Sequence, residues 1–319
     1  MTLPPSPPPS PSPPQGGHVD RILVIRLGAL GDFVQSFGPF AAIRDHHPDA
    51  DITLLTTQPF AALARSTPWF DHVRVDDKPS LVNLVGLAKL AWALRKFDRV
   101  YDLQTSARSS RYFVLAGRPP WSGVAKGCAF RQSDPGRETM HTWERQRDQL
   151  RIAGIEDFPQ PDLSFLTQAE IPALPRAPAL LAPGSAPQHR AKRWPVARYA
   201  ELATILAARG FTPVIVGAAG DAALAAVIRA ACPEAIDLTG KTDLMQLFAV
   251  AAQARLAIGN DTGPMHVAAS AGCRCIVLFG RASDPALTSP RGPDGAWAEV
   301  LRAPVLADLA VARVVELLP

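Results

Sequence analysis

The sequence predicts an α/β protein built from two Rossmann-like domains whose parallel β-sheets face a central cleft. The chain has 319 residues, and at roughly 150 residues per domain this length favours two domains. Short apolar runs alternate with helical stretches in both halves, a pattern typical of parallel sheets covered by helices on both faces. A proline-rich stretch without periodicity, at about residues 157–178, separates the two halves.

The first half contains apolar runs that predict buried strands: RILVIRL, DITLLT, HVRV and RVYDLQ. The stretches FAAIRDHH, AALARS, LVNLVGLAKLAWALRKF and TMHTWERQRDQLRIAGI predict its helices. In the second half, the runs ALLAPG, TPVIVG, AIDLTG, RLAIGN and CIVLFG predict strands. We therefore divide the chain into a disordered proline-rich tail (1–19), a first domain (20–165), a linker (166–178) and a second domain (179–319).

Composition excludes several classes of protein. With 47% hydrophobic and 19% charged residues, the chain is not disordered overall. A net charge of +4, without a basic run, argues against a nucleic-acid partner. No stretch has the roughly 18 uninterrupted apolar residues of a membrane span. The four cysteines form no CxxC pair and no metal-ligand spacing, so we expect reduced thiols, a cytosolic protein and no bound metal.

The first motif, RLGALGDF at residues 26–33, follows a predicted strand and contains two glycines and one acid. Nicotinamide-binding turns need G-x-G-x-x-G and P-loops need GK[ST], and this turn has neither. Asp32 would repel a phosphate, whereas the carboxyl end of a strand suits a general base that faces the cleft. The local sequence leaves open the alternative that Asp32 only caps the following helix.

The second motif, AIGNDTGPMHVAASAG at residues 257–272, predicts a strand, a tight loop and a helix that begins near Gly263 and Pro264. Backbone N–H groups at such a helix start, together with the helix dipole, would bind an anion without a lysine. The alternative is an ordinary turn in which Thr262 caps the helix.

Further loops follow other strands of the second half. The segment APGSAPQHRAKRWP leaves a strand through Gly184 and Ser185 and carries basic residues that would either clamp a diphosphate or lie in solvent: His189, Arg190, Lys192 and Arg193. Asp221 lies in the loop VGAAGDAAL, and Thr242 lies in LTGKTDLMQL. Because the carboxyl ends of parallel strands meet at one sheet edge, these loops together predict a single anion-binding site.

Four segments, in this order, resemble glycosyltransferase family 9, the bacterial heptosyltransferases of the GT-B fold. They are ILVIRLGALGD, YDLQTSARSS, APGS…AKRWP, and GNDTGPMHVAASAG followed by LFG…DP. The resemblance covers nearly all of residues 20–319 and implies inverting transfer of a heptose from ADP-heptose to the lipopolysaccharide inner core. It also implies no cofactor and no divalent metal ion, since a helix start and a lysine would stabilise the charge on the departing ADP.

The resemblance assigns roles to individual residues. Asp32 matches the general base, and Lys192 matches a lysine on the donor phosphates. The donor-binding residues that it implies are Ser185, Lys192, Thr242, Asp261, Thr262, Gly263 and His266. We also expect Gly31, Gln104, Arg108 and Arg111 to bind the acceptor, the two arginines because basic residues of the first domain suit an anionic acceptor. The alternative for each arginine is a solvated surface position. The acid that family members carry soon after the strand VIVG is displaced here to Asp221, which leaves the contact to the ribose or sugar open.

The partners implied are a nucleotide sugar and an anionic, lipid-linked glycan acceptor. We expect a monomeric cytoplasmic protein with peripheral contact to the inner membrane. The motifs do not separate this enzyme from a glycosyltransferase of the same fold with another donor, or with another glycan or protein as acceptor. A catalytically silent nucleotide-sugar-binding protein is a further alternative, disfavoured because Asp32, Lys192 and His266 are all present.

Overall fold

The computed structural model describes residues 21–80 and 82–319. The predicted tail, residues 1–19, lies outside the described residues. The described chain forms two six-stranded sheets, one from each half, in which neighbouring strands are parallel. The predicted fold class is therefore confirmed. No helix of the described chain is long and apolar enough to cross a bilayer.

The first sheet has the strand order β3-β2-β1-β4-β5-β6. Its strands are β1 (Arg21–Ile25), β2 (Asp51–Thr56), β3 (His72–Val75), β4 (Arg99–Asp102), β5 (Trp121–Gly123) and β6 (Phe130–Arg131). Its helices are α1 (Leu30–Val34), α2 (Phe37–His46), α3 (Gln58–Arg65), α4 (Leu84–Leu94), α5 (Ala107–Leu115) and α6 (Thr142–Ile152).

The second sheet has the strand order β12-β11-β10-β7-β8-β9. Its strands are β7 (Pro178–Ala182), β8 (Thr212–Ile215), β9 (Ile236–Asp237), β10 (Leu256–Asn260), β11 (Cys275–Phe279) and β12 (Glu299–Arg302). Its helices are α7 (Val196–Ala208), α8 (Ala222–Ala231), α9 (Leu244–Gln253), α10 (Gly263–Ser270), α11 (Pro285–Thr288) and α12 (Val311–Val315).

Both sheets contain more strands than the sequence predicts. Strands β5 and β6 extend the first sheet, and β12 extends the second. These strands have only three, two and four residues, so they carry too few apolar positions to show a period. The long strands are different, because four successive residues of β1, Ile22–Ile25, are buried on both faces of the sheet.

One hydrophobic core joins the two halves of the chain. Phe37 of α2 stacks on Phe248 of α9 with ring centroids 5.9 Å apart. Leu166, from the proline-rich stretch, is buried in the same core. The two halves are therefore packed against each other through a shared apolar core. The boundaries that the sequence analysis places at residues 165, 178 and 179 stay predictions.

Candidate active site

The two glycine-containing motifs lie at equivalent places in the two sheets. The strand order reverses between β1 and β4 in the first sheet and between β7 and β10 in the second. Loops on either side of such a reversal diverge and leave a crevice at the carboxyl ends of the strands. The RLGALGD turn follows β1, and the NDTGP turn follows β10. Each motif therefore borders the crevice of its own sheet.

Asp32 is the third residue of α1, and its side chain is 44% exposed. One carboxylate oxygen lies 3.4 Å from Nη2 of Arg26. The other accepts a long hydrogen bond, 3.4 Å, from the backbone N–H of Ala29. The carboxylate thus caps α1 only weakly and keeps acceptor capacity for another group.

Arg26, which the sequence analysis did not single out, fixes the backbone at Asp32. Its buried guanidinium donates to the Asp32 carbonyl from Nη2 at 2.9 Å and from Nε at 3.2 Å, and Nη1 donates to the carbonyl of Leu103. Burial lowers the pKa of Arg26, and the charge of Asp32 partly opposes that shift. The side chain therefore joins the turn after β1 to the turn after β4.

Asp102, at the end of β4, holds the turn after β4 in place. One of its carboxylate oxygens accepts hydrogen bonds from the N–H groups of Gln104 (3.1 Å) and Thr105 (3.0 Å). Its Oδ2 is buried and has no partner among the described residues. Burial raises the pKa of Asp102 to about 6. Gln104 in turn accepts a hydrogen bond from the N–H of Leu27 at 2.8 Å, so Asp102 anchors the RLGALGD turn indirectly.

On the opposite wall, three predicted donor-binding residues meet. Lys192 donates to Asp261 at 2.6 Å, and Nε2 of His266 lies 4.0 Å from the other carboxylate oxygen of Asp261. Asp261 and His266 are buried. Burial lowers the pKa of His266, against the opposing charges of Asp261 and Asp32, so its ring is neutral at neutral pH.

A buried glutamine links the two walls. Nε2 of Gln35 lies 2.9 Å from Nδ1 of His266 and 3.3 Å from the carbonyl of Thr288. A carbonyl only accepts, so the Gln35 atom that faces both partners is the amide nitrogen. Nδ1 of His266 is then the acceptor, and the ring proton of the neutral imidazole sits on Nε2, towards Asp261. No local sequence pattern indicates this contact, because the two residues are 231 positions apart.

The starts of α1 and α10 approach each other closely through two glycines. A Cβ atom on Gly31 would lie 2.6 Å from Cδ2 of His266, and one on Gly263 would lie 2.8 Å from Cβ of Leu30. Contacts below 3.0 Å require a shift of the neighbouring atoms. Glycine at these positions therefore lets the helix that carries Asp32 touch the helix that carries His266.

A cavity of about 400 Å³ adjoins this contact in the second half. Its wall includes Ser185, Thr242 and Thr262 of the predicted donor-binding set, and Leu30 from the first half. Arg193 and Asp221 also line it. The Arg193 guanidinium donates to the carbonyl of Ser185 at 2.7 Å and to its hydroxyl at 3.0 Å, and lies 3.7 Å from Asp221. It therefore holds the loop after β7, whereas the other two members of the predicted basic cluster, His189 and Arg190, are exposed.

Asn260, at the end of β10, holds this wall together. Its side-chain oxygen accepts hydrogen bonds from the N–H of Trp194 (2.9 Å) and the hydroxyl of Tyr199 (3.0 Å). Its amide nitrogen donates to the carbonyls of Pro183 (2.9 Å) and Gly184 (3.3 Å). The sequence analysis quoted Asn260 within its motif and gave it no role. A polar residue at a strand end, directly before the predicted site, was the available signal.

The predicted acceptor-binding residues do not all meet. Gln104 and Arg108 line a shallow cleft of about 390 Å³ beside Gly28 and Lys78. Gly31 lies at the interface with His266, and Arg111 is exposed on α5. Within residues 21–80 and 82–319, no three His, Cys, Asp or Glu side chains are grouped so as to hold a metal ion.

Comparison with known proteins decides the family. The sequence model of glycosyltransferase family 9 (heptosyltransferase) matches residues 87–298. The chain belongs to glycosyltransferase family 9. A family 9 relative, lipopolysaccharide heptosyltransferase 2 of Salmonella typhimurium, is 38% identical over 306 residues, which cover 85% of this chain and 85% of the relative. Lipooligosaccharide heptosyltransferase 2 of Haemophilus ducreyi is 26% identical over 85% of this chain and 86% of its own length.

Solved structures of the family share the fold. The Escherichia coli ADP-heptose lipopolysaccharide heptosyltransferase II superposes with a TM-score of 0.74 at 25% identity, over 93% of this chain and 96% of that one. A family 9 glycosyltransferase from Veillonella parvula gives a TM-score of 0.77 at 24% identity, over 94% and 97% of the two chains. The predicted GT-B arrangement is confirmed, and the chain is a glycosyltransferase.

Proposed function

We propose that this glycosyltransferase moves a heptose from ADP-heptose to the inner core of lipopolysaccharide, with inversion at the anomeric carbon and with Asp32 as general base. The observation that carries the proposal is the pairing of two unlike walls. A half-exposed carboxylate, Asp32, borders one side of the cleft, and a cationic, helix-start site with a nucleotide-sized cavity borders the other. Full-length relatives named as heptosyltransferases support the choice of sugar and acceptor.

The donor is assigned to the second half. Apolar and hydroxyl side chains of the cavity, among them Val216, Leu247 and Thr242, suit an adenosine. The diphosphate would lie at the start of α10, where the N–H groups of Thr262 and Gly263 and the helix dipole favour negative charge. Lys192 would then exchange part of its contact with Asp261 for a phosphate oxygen.

The reaction is a single displacement. The acceptor hydroxyl gives its proton to Asp32 as its oxygen forms a bond to the anomeric carbon. The bond from that carbon to the β-phosphate oxygen breaks on the opposite face, and its electron pair leaves with ADP. Lys192 and the α10 N–H groups stabilise the charge that builds on ADP. Asp261 and the neutral ring of His266 hold Lys192 and the sugar side of the site in place.

The acceptor is assigned to the cleft beside the RLGALGD turn. Gln104, Arg108 and Lys78 line that cleft, so it presents two cations and an amide to an anionic glycan. The acceptor would be the growing, lipid-linked core, which implies work at the cytoplasmic face of the inner membrane by a monomeric, peripherally bound protein.

The test is a transfer assay with purified components. ADP-heptose and a deacylated inner-core acceptor should yield ADP and a product heavier by one heptose, with the anomeric configuration opposite to that of the donor. In thermal-shift measurements, ADP should stabilise the protein more than UDP or NAD does. Transfer from a UDP-sugar, with no reaction of ADP-heptose, would show that the donor is a UDP-sugar and contradict the proposed donor. Binding of ADP-heptose without transfer to any acceptor would favour the catalytically silent alternative.

A further inference from the structure

Helix α4 turns an apolar face to solvent. Val82 (89% exposed), Leu84 (74%), Val85 (68%) and Trp92 (67%) are the most exposed large hydrophobic residues of the described chain. Leu84 and Trp92 stand two helical turns apart, and Val85 is beside Leu84, so within α4 they form one stripe. Together with Lys89, Arg95 and Lys96 on and beside this stripe, these residues are called the α4 face.

The opposite side of α4 is a normal packed surface. Leu94 is buried and Leu90 is partly buried in a core cluster that also contains Tyr112 and Phe113 of α5. The helix is therefore anchored to its domain by one side and apolar on both sides. An exposed apolar patch of this kind marks an interaction surface rather than ordinary solvent-facing residues.

The sequence segments that form α4 and α5 and their flanking loops are rich in cations. The sequence contains no Asp or Glu from residue 78 to 97 or from residue 103 to 133. The cations of these two stretches are Lys78, Lys89, Arg95, Lys96, Arg108, Arg111, Arg118, Lys126 and Arg131. Nζ of Lys96 sits 3.1 Å from the ring centroid of Trp92, so at least one cation lies directly on the apolar stripe. The acids nearest in sequence are Asp76, which is buried, then Asp77 and Asp98.

The α4 face adjoins the acceptor cleft. Lys78, four residues before Val82, lines the cleft together with Arg108 at the start of α5. Pro79 lies close to Gly86 in the first turn of α4, so the start of the helix is near the cleft wall. The exposed fraction is also largest at this end, at Val82 and Leu84.

We propose that the α4 face docks the protein on an anionic lipid bilayer, with Leu84, Val85 and Trp92 inserted at the headgroup boundary and the lysines and arginines on lipid phosphates. Exposed apolar and tryptophan side chains, in a segment (residues 78–97) whose charged residues are all cations, match such a surface, whereas a protein partner would need no excess of one charge. Docking would place the acceptor cleft beside the bilayer. The reason for docking there rests on the proposed lipid-linked acceptor; the binding itself needs neither donor nor acceptor.

The experiment measures cosedimentation of the full-length protein with vesicles of phosphatidylethanolamine and phosphatidylglycerol, without substrates. The wild type should bind, and added salt or phosphatidylcholine vesicles should weaken binding. The variant Leu84→Ser/Val85→Ser/Trp92→Ser should bind at least about tenfold more weakly than the wild type. Lys89→Glu/Lys96→Glu should also bind more weakly. The matched control, Val227→Ser/Val305→Ser, removes two exposed valines of the second half and should bind like the wild type.

Activity on a deacylated, soluble acceptor separates this proposal from the proposed function. The triple serine variant should keep wild-type turnover on that acceptor, because none of its three side chains lines the cleft or the donor cavity. The proposed docking would be overturned if the wild type did not bind anionic vesicles, or if the triple variant bound them as well as the wild type does. A wild-type dimer that the triple variant dissociates, seen by sedimentation velocity, would assign the face to a second copy of the chain instead.

Discussion

The turn after β1 and the turn after β10 have the same local arrangement, yet their acids differ in exposure and in the distance to a cation. Both consist of a strand, a glycine-containing turn with one acid, and a helix. The Asp32 side chain is 44% exposed, and its ion pair with Arg26 spans 3.4 Å. The Asp261 side chain is 5% exposed and lies 2.6 Å from Lys192. The two acids therefore differ in burial and in the distance to their counter-charge, although the turns that carry them are alike.

The polar residues that support the two turns, Asp102 at the end of β4 and Asn260 at the end of β10, differ in how fully they are hydrogen-bonded. Asp102 supports the first turn with a carboxylate that leaves Oδ2 buried and unpartnered. Asn260 supports the second turn with an amide whose oxygen and nitrogen are both bonded. The turn after β1 therefore rests on a buried carboxyl group, and the turn after β10 rests on a neutral amide whose polar atoms are all hydrogen-bonded.

The largest expected effect comes from Asp32→Asn, which keeps the shape of the first turn and removes its proton acceptor. Turnover should fall by about 10²–10⁴. Affinity for ADP, measured by titration calorimetry, should hardly change, because Asp32 borders the acceptor side. If turnover were near normal, the weak helix cap would be the only role left for Asp32. An unchanged melting temperature is the control for folding.

Asp102→Asn tests the charged anchor through the pH dependence of stability. Burial raises the pKa of Asp102 from the ordinary value of 3.8 to about 6, so the folded protein binds this proton more tightly than the unfolded chain. The free energy of unfolding of the wild type should therefore fall by about 3 kcal/mol as the pH rises from about 4 to about 6. Above about pH 6 this contribution should stay level. The asparagine variant should lack this component, in urea unfolding at each pH.

The matched control for that experiment is Asn260→Asp, which places a carboxyl group in the neutral anchor. Its oxygens would face the carbonyls of Pro183 and Gly184, which only accept hydrogen bonds. This variant should gain the pH dependence that Asp102→Asn loses. Parallel pH profiles for wild type and Asp102→Asn would contradict the assignment of a buried, neutralised acid at the end of β4.

Lys192→Ala tests the counter-charge on the donor side. It removes a charged contact worth about 1.5–3 kcal/mol, so ADP should bind about 10- to 150-fold more weakly in titration calorimetry. Part of this loss should come from the Asp261 carboxylate left without its cation. The double variant Lys192→Ala/Asp261→Asn should therefore recover some affinity. Equal ADP affinity in wild type and Lys192→Ala would remove the lysine from the donor site.

The smallest effect is expected at the link between the two walls. Gln35→Leu removes the donor to Nδ1 of His266 and should lower kcat/KM by about tenfold, the worth of one buried hydrogen bond. Nitrogen chemical shifts of the ring should report a mixture of tautomers in place of the Nε2–H form. Gln35→Glu offers an acceptor and should move the proton to Nδ1. Unchanged ring shifts in both variants would show that Gln35 does not position His266.

The sequence predicted what is local and missed what is long-range. Nine of the twelve strands of the described chain, both turns and the helix start at Gly263 follow from apolar runs and turn residues within about ten positions. Arg26 was hidden because a basic residue at a strand end has no characteristic partner in sequence. Gln35 lies only three residues after Asp32, yet its proposed role depends on its hydrogen bond to His266 in the other half of the chain.

The stacking of Phe37 on Phe248 has a consequence for biosynthesis. Phe37 also packs on Trp69, with ring centroids 5.2 Å apart, and both are buried in the finished protein. Most of the first half emerges from the ribosome before residue 248 is made. During that interval the aromatic surface of Phe37 and Trp69 lacks its cover from α9, and exposed apolar surface of this kind favours chaperone binding and aggregation. Synthesis of α9 ends that exposure.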